Sequence, residues 1–481
     1  MNDKWVIAID QGTSSCRAFA VDNKGQVRAQ QSKVFSPQRP QKGLSFYDAE
    51  QLLRAQLEVL HALLDEIGPE KAAALAVCSQ RSSIVLWDKN TSRPLAPVLT
   101  WEDGRSVKES QTAPLSQEEI HNRTGLFKTP YFSAPKITWC LNNYPLAKEA
   151  AQTGTLQAAP IASYLIWHLT GGRVFATDPT LAQRTLLWNI QTGQWSETLC
   201  KAFGVPLSCL PLIQPTVANY GVYQYKGISI PICVCVADQQ AAAAYYNLSV
   251  GQTMVNYGTG AFVLHHTGNK LSVIPGMLSS VAISRSLADK QFLLEGPIFS
   301  AGSLFEWLKT KGIEVRYDCL DSLALSAKFP VVLLPALGGV GAPYWDYHVQ
   351  HVVIDNGSQR PQPEDWVAGI FRSIAARVAD IIYYLRLNGF VINAMLVSGG
   401  LSKNMYLLQR QADIVGVPLE QWAETESSVF GAAHLAADYL NWDVTAWSVS
   451  SIQTITPQFP FKKSQEEYHD WQQFIRRQLH L

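Results

Sequence analysis

The stretch Asp10 to Arg17, DQGTSSCR, puts a carboxylate, a glycine, three hydroxyls and a guanidinium within eight residues. Glycine allows close backbone approach, and the N–H groups and hydroxyls of Thr13, Ser14 and Ser15 form a donor-rich concavity suited to phosphate oxygens, to which Arg17 would add a fixed positive charge. A solvent-facing turn whose hydroxyls cap its own backbone would use the same residue types. Asp10 fits that alternative less well, because a carboxylate beside an anion-favouring turn is repelled unless a cation accompanies the anion. A magnesium-bound phosphate resolves the conflict. A second carboxylate, Asp238, stands in VADQQAAAAYY, where an apolar run meets an Ala-rich helical pattern. It fits a helix N-cap, and it fits equally a proton acceptor at the strand ends where open α/β sheets bind ligands. Farther on, MLVSGGLSKNMYLLQRQADIVG reads as strand, Gly399-Gly400 turn and helix. Its helix N-terminus is either open to a planar ligand or anion, or follows only a tight connection.

The elements that must hold these groups follow from hydrophobic period. Apolar runs Val6 to Ile9 and Ala18 to Val21 flank the first turn as a hairpin would. A Pro/Gly/Gln-rich loop, Ser36 to Gly43, precedes Leu52, Leu53, Leu57, Leu60 and Leu63 at helical spacing, and Ala72 to Cys78 reads as a buried strand. Alternation of strand and helix patterns continues to the end, which predicts an α/β architecture with helix-covered sheets. Residues Met254 to Thr267, MVNYGTGAFVLHHT, repeat the opening device, with Gly258-Thr259 where the first copy has Gly12-Thr13. Two similar halves facing each other would bring both turns to one cleft. Coincidence is the competing explanation for so short a repeat.

Length and composition bound the rest. A chain of 481 residues is too long for one ordinary core and predicts two or three domains. With 39 basic against 39 acidic residues, nothing suggests general affinity for nucleic acid or anionic membrane. Asp10 interrupts the first apolar stretch, so no signal peptide is expected, and no stretch reaches the roughly 20 apolar residues that span a bilayer. The eight cysteines lack C-x-x-C spacing, and Cys233 and Cys235 alternate with valines as in one buried strand. Reduced structural thiols in a cytoplasmic protein follow. No Walker-type phosphate loop occurs, so any nucleotide site is built from hairpin turns.

Taken in order, the segments AIDQGTSSCR (8–17), SQR (79–81), PYFSAPKITW (130–139), ADQQAA (237–242), NYGTGAF (256–262), LEGPIFSAG (294–302), GVGAPYWD (339–346) and SGGLSKN (398–404) resemble the FGGY family of carbohydrate kinases, most closely its glycerol kinase branch. The resemblance covers nearly the whole chain. It implies two actin-like (ribonuclease H-like) ATPase domains facing a central cleft, residues 1–245 carrying the acceptor site and first phosphate hairpin, residues 246–481 the nucleotide. By motif position it implies that Asp10 holds magnesium and that Thr13, Ser14, Ser15, Arg17 and Thr259 meet the phosphates of ATP. Gly302, Glu306, Gly400 and Asn404 would line the nucleotide site. Arg81, Ser82, Trp101, Tyr131, Asp238, Gln239 and Phe262 would surround a small polyol or sugar, with Asp238 as the base. No nucleic acid or membrane partner is implied, and a homodimer or homotetramer is compatible with the family.

The chain departs from the branch at informative places. Where glycerol kinases usually read Q-R-E, this sequence has Gln80-Arg81-Ser82. Losing a charged hydrogen-bond partner costs about 1.5 to 3 kcal/mol, or roughly 10- to 100-fold in affinity. Glu306 replaces a common glutamine, Arg372 a usual glutamate, the Trp101 segment lacks the usual cation pair, and Gln350 to Pro363 lacks the usual apolar-glycine sequence. Glycerol is therefore the first expected acceptor, a pentulose or other sugar alcohol the second. An actin-like sugar or nucleotide sensor without catalysis is a third reading, which retention of both Asp10 and Asp238 disfavours.

Overall fold

In the computed structural model, residues 4–41, 43–346, 348–349, 352–355, 361–422, 426–447, 451–458 and 461–480 are described. Half of Gln350 to Pro363 (350, 351 and 356–360) lies outside them.

The first sheet is built from β1 (Trp5–Gln11), β2 (Ser15–Val21), β3 (Val27–Val34), β4 (Ala72–Ser79), β5 (Val222–Tyr225) and β6 (Ile228–Ala237), in the spatial order β5-β6-β4-β1-β2-β3. β1, β2 and β3 form an antiparallel meander, while β1, β4 and β6 run parallel. Strand periodicity sends alternate residues of β1 into different cores. Ile7 and Ile9 pack with Leu52, Leu60 and Leu63 of helix α1 (Ala49–Ile67), whereas Val6 and Ala8 face the opposite layer. Asp48 caps α1 by accepting from the Gln51 N–H at 2.9 Å.

The second sheet repeats the plan. Its strands are β7 (Thr253–Tyr257), β8 (Ala261–Gly268), β9 (Leu278–Val281), β10 (Phe292–Ile298), β11 (Met395–Ser398), β12 (Leu419–Trp422) and β13 (Ser451–Ile455), ordered β9-β10-β8-β7-β11-β12-β13. β7, β8 and β10 form the antiparallel meander, and β7, β11 and β12 run parallel. The echo between Gly12-Thr13 and Gly258-Thr259 is thus one of topology as well as of sequence.

Two helices pack on the first sheet: α2 (Asp238–Tyr245), which leaves β6, and α3 (Ser427–Tyr439). Although α3 comes late in the chain, its Val429, Ala432 and Ala436 pack on Val6, Ala8 and Ala76 of the first sheet. Small residues permit this. A Cβ on Gly431 would lie 1.8 Å from the Ala241 carbonyl oxygen, so only glycine lets α3 cross α2 at backbone contact.

Two local readings need adjustment. Asp238 is the first residue of α2, not its N-cap. That position falls to Ala237, and the Asp238 side chain accepts from the adjacent Gln239 N–H at 2.8 Å instead of reaching the next turn. The helix expected directly behind Gly399-Gly400 is preceded by a 3₁₀ turn over Gly400–Lys403 and begins at Met405. All eight cysteines are free thiols, with Cys233 and Cys235 buried in β6.

Candidate active site

The β1–β2 turn closes with the Gly12 N–H donating to the Ser15 carbonyl at 3.1 Å, and strand register sets Asp10 opposite Arg17. Neighbouring elements fix the turn from behind. Gln80, at the end of β4, donates to the Gly12 carbonyl at 3.1 Å, and Tyr47 donates to the Thr13 carbonyl at 2.5 Å. Thr13 Oγ1 accepts from Trp101 Nε1 at 3.0 Å, so Trp101 is tied to the phosphate-type hairpin as well as packed against Tyr131, the two rings tilted and their centroids 5.6 Å apart. Ser14 is exposed at the tip, and Ser15 accepts from Arg17 Nε at 3.1 Å.

Asp10 is buried at the end of β1. Ser428, in the first turn of α3, donates to Asp10 Oδ2 at 2.8 Å, and Asp10 Oδ1 has no partner. Burial pushes the Asp10 carboxyl up, partly offset by Ser428 and Arg17. A buried carboxylate with one oxygen held and the other free is a fitting single ligand for a magnesium ion that brings phosphate and water oxygens with it. Among the described residues, no group of three His, Cys, Asp or Glu forms an all-protein metal cage. Arg17 forms an ion pair with Glu426, just before α3, and both side chains are about a third exposed, at 32% and 33%.

Asp238 lies at the meeting point of both halves. Arg81 Nε approaches Asp238 Oδ1 at 3.7 Å, and the Arg81 guanidinium sits 5.7 Å from the ring centroid of Phe262 on β8. The other two nitrogens of Arg81 grip Glu295 of β10, Nη1 to Oε2 at 2.8 Å and Nη2 to Oε1 at 2.9 Å. Burial raises the Asp238 carboxyl; Arg81 lowers it, Asp10 raises it again, and the balance stands at about 6. Tyr131 shares this environment, its phenol pushed up by burial against the pull of Arg81 and Arg184. Ser82 is buried with a left-handed φ of 62°, and its Oγ has no partner within the protein; neither has Gln239 Oε1. Such buried polar atoms cost stability unless a ligand completes them.

The second hairpin joins the site through Phe262, three residues beyond Thr259. Thr259 is exposed, and its carbonyl accepts from Ala301 N at 2.9 Å and Ser303 N at 3.0 Å. Gly302 donates to the Gly258 carbonyl at 3.0 Å, and a Cβ there would lie 2.7 Å from the same oxygen, so glycine lets this turn seat on the hairpin. Gly400 faces open space within 4 Å of a built Cβ. Asn404 is buried and donates to the Leu401 carbonyl at 3.0 Å. Glu306 is exposed, accepting from Lys309 at 2.8 Å and from Tyr317 at 2.9 Å.

The structure therefore brings Asp10, Thr13, Arg81, Trp101, Tyr131, Asp238 and Phe262 into one connected set. Glu306 and Asn404 spend their hydrogen bonds elsewhere, on Lys309 and Tyr317 and on the Leu401 carbonyl. Arg184, Glu295, Ser428 and Glu426 are added by the fold. Glu295 had a readable signal, a lone charge inside the apolar strand FLLEGPI. Ser428 and Glu426 had none, because their partners are more than 400 positions away.

Similar chains are known. The family described as "FGGY family of carbohydrate kinases, N-terminal domain" matches residues 5–244, and its C-terminal domain matches residues 253–438. A glycerol kinase of Pseudothermotoga lettingae is 34% identical over 503 residues, covering 100% of this chain and 99% of its own. The crystal structure of Plasmodium falciparum glycerol kinase with ADP superposes with a TM-score of 0.91 at 26% identity over 98% of each chain. A xylulose kinase of Rhodospirillum rubrum shares the fold, with a TM-score of 0.86 at 21% identity over 99% of each chain.

Proposed function

The chain belongs to the FGGY family of carbohydrate kinases, phosphotransferases that use ATP on sugars or polyols, and from that premise we propose that it phosphorylates a primary hydroxyl of a small polyol, glycerol first. The observation that carries the reading is Asp238, a carboxylate raised to about 6, set beside Arg81 and close enough to the buried Asp10 to feel its charge.

In this reading the acceptor lies against Arg81, Tyr131 and Gln239, whose donors and acceptors match hydroxyls, while Trp101 and Phe262 cover its carbon skeleton. Asp238 takes the hydroxyl proton as the oxygen forms a bond to the γ-phosphorus, and the bond from that phosphorus to the β–γ bridging oxygen breaks, leaving ADP. Thr13, Ser14, Ser15, Arg17 and Thr259 hold the phosphates, with Gly302, Glu306, Gly400 and Asn404 along the nucleotide. Asp10 would hold magnesium, whose role when bound is to neutralise phosphate charge. Rate then comes from positioning and exclusion of water between the halves.

Ser82 favours a second acceptor. Its short, buried, unpartnered hydroxyl stands where the glycerol kinase pattern has a glutamate, which leaves room and a free hydrogen-bonding atom for a longer polyol or a pentulose. Also within this proposal are a division of the chain at residues 245 and 246, assembly as a homodimer or homotetramer, and a cytoplasmic location. The free thiols support the last, and no helix among the described residues is long and apolar enough to cross a membrane.

A coupled ADP-release assay across glycerol, erythritol, dihydroxyacetone, xylulose and ribulose tests the reading. Acceptor-dependent release with at least one is expected. Release with none would favour the sensor.

A further inference from the structure

Beneath the acceptor region four charged side chains form one cluster, three of them buried and the fourth partly exposed. Arg81, Arg184 and Glu295 are each 4% exposed or less, and Asp238 completes the set. Two guanidinium groups thus meet two carboxylates, and their connections are unequal. Glu295 Oε2 accepts from Arg81 Nη1 at 2.8 Å, from Arg184 Nη2 at 2.7 Å and from Ser280 Oγ at 3.1 Å, while Oε1 accepts from Arg81 Nη2 at 2.9 Å. Arg184 Nη2 also donates to Ser280 Oγ at 2.5 Å. Asp238 receives only the edge of Arg81, through Nε at 3.7 Å, beyond hydrogen-bond reach.

The forked carboxylate of Glu295 therefore decides which way Arg81 faces. Planar bidentate pairs are the strongest geometry a guanidinium can adopt, and two carboxylates compete here for one fork. If Arg81 turned its fork to Asp238, both oxygens of that carboxylate would be engaged and its affinity for a proton would fall. The donors that meet acceptor hydroxyls would move as well.

We infer that Glu295, held by Arg184 and Ser280, is a positioning residue that keeps the Arg81 fork away from Asp238, leaving Asp238 free for the acceptor proton and Arg81 aimed at the acceptor. The inference rests on the kinase reading of Arg81 and Asp238. Electrostatics agree with the geometry. Burial alone would raise the Glu295 carboxyl, yet Arg184 and Arg81 draw it down to about 2, so it stays charged throughout the working range. Since Glu295 and Ser280 belong to the second sheet, and Arg81 and Arg184 come from the first half of the chain, the acceptor site is completed across the two halves.

The test compares wild type with Glu295→Gln, Glu295→Asp and Ser280→Ala in acceptor KM, kcat and equilibrium binding of MgATP without acceptor. Glu295→Gln should raise acceptor KM about tenfold or more and lower kcat by a similar factor, with MgATP affinity within about twofold of wild type. Glu295→Asp should recover part of the loss, since it restores the charge but not the reach. Ser280→Ala removes one hydroxyl and keeps the charges, so it reads the same effect, about threefold on acceptor KM, even if Glu295→Gln does not fold. Acceptor KM and kcat unchanged in folded Glu295→Gln, or unchanged in Ser280→Ala, would overturn the inference. So would MgATP affinity falling in parallel with acceptor KM, the mark of general loosening. Absence of turnover by wild type with any acceptor would strike the kinase reading itself and take the inference with it.

Discussion

Ser428 donates its hydroxyl to Asp10 Oδ2 at 2.8 Å across 418 positions of sequence, so one carboxylate oxygen is fixed while the other is buried without a hydrogen-bond partner. The bond also opposes the upward pull of burial on the Asp10 carboxyl. Ser428→Ala should raise the magnesium concentration needed for half-maximal rate by about 3- to 10-fold, the loss expected for one hydrogen bond to a charged group. Magnesium titration at fixed ATP measures it, and an unchanged midpoint would separate Ser428 from the metal.

Arg17 and Glu426 meet at the same helix start. A carboxylate paired with the arginine of a phosphate hairpin competes with phosphate for it. Glu426→Gln should tighten MgATP binding by up to about fivefold, the scale of a partly exposed ion pair, and Arg17→Ala should weaken it. Calorimetric titration distinguishes these, and weaker binding by Glu426→Gln would show that Glu426 assists the nucleotide instead.

The pH dependence follows from Asp238. As a base it works only when deprotonated, and burial, with Arg81 opposing and Asp10 adding, raises it from 3.8 to about 6. At saturating MgATP, kcat/KM for the acceptor should be half-maximal near pH 6, level off about one pH unit above it, and approach a tenfold fall per unit about one unit below it. An acid limb near the ordinary carboxylate value would show that burial does not govern this group.

Ser82 sits in the left-handed region with φ 62° whatever its side chain, so exchanging it for glutamate adds no new backbone strain. If this position sets acceptor preference, Ser82→Glu should lower glycerol KM by about 10- to 100-fold and disfavour longer acceptors. An unchanged or higher glycerol KM would move specificity elsewhere.

Much of this site was readable because its signals are local. The hairpins declare themselves by apolar runs around Gly-Thr turns, and Asp238 by a buried strand ending in a carboxylate before alanines. Two kinds of feature were not readable. Arg184, Ser428 and Glu426 act through partners brought close only by the tertiary fold, and α3 covers the first sheet from the last quarter of the sequence because Gly431 permits backbone contact with α2. The positive φ of Ser82 was invisible for another reason: serine rarely adopts it, and surrounding structure imposes it. The N-cap expected of Asp238 failed because its carboxylate turns back to the Gln239 N–H and toward Arg81.

Whether Asp238 is the base for phosphoryl transfer is read most directly by following the reaction of wild type and Asp238→Asn by phosphorus NMR, alongside MgATP binding to each. Wild type should build up a phosphomonoester of the acceptor together with ADP, and Asp238→Asn should lose about 10²- to 10⁴-fold in that rate while binding MgATP as before. Phosphomonoester formed by Asp238→Asn at the wild-type rate, or inorganic phosphate as the sole product of wild type, would contradict it.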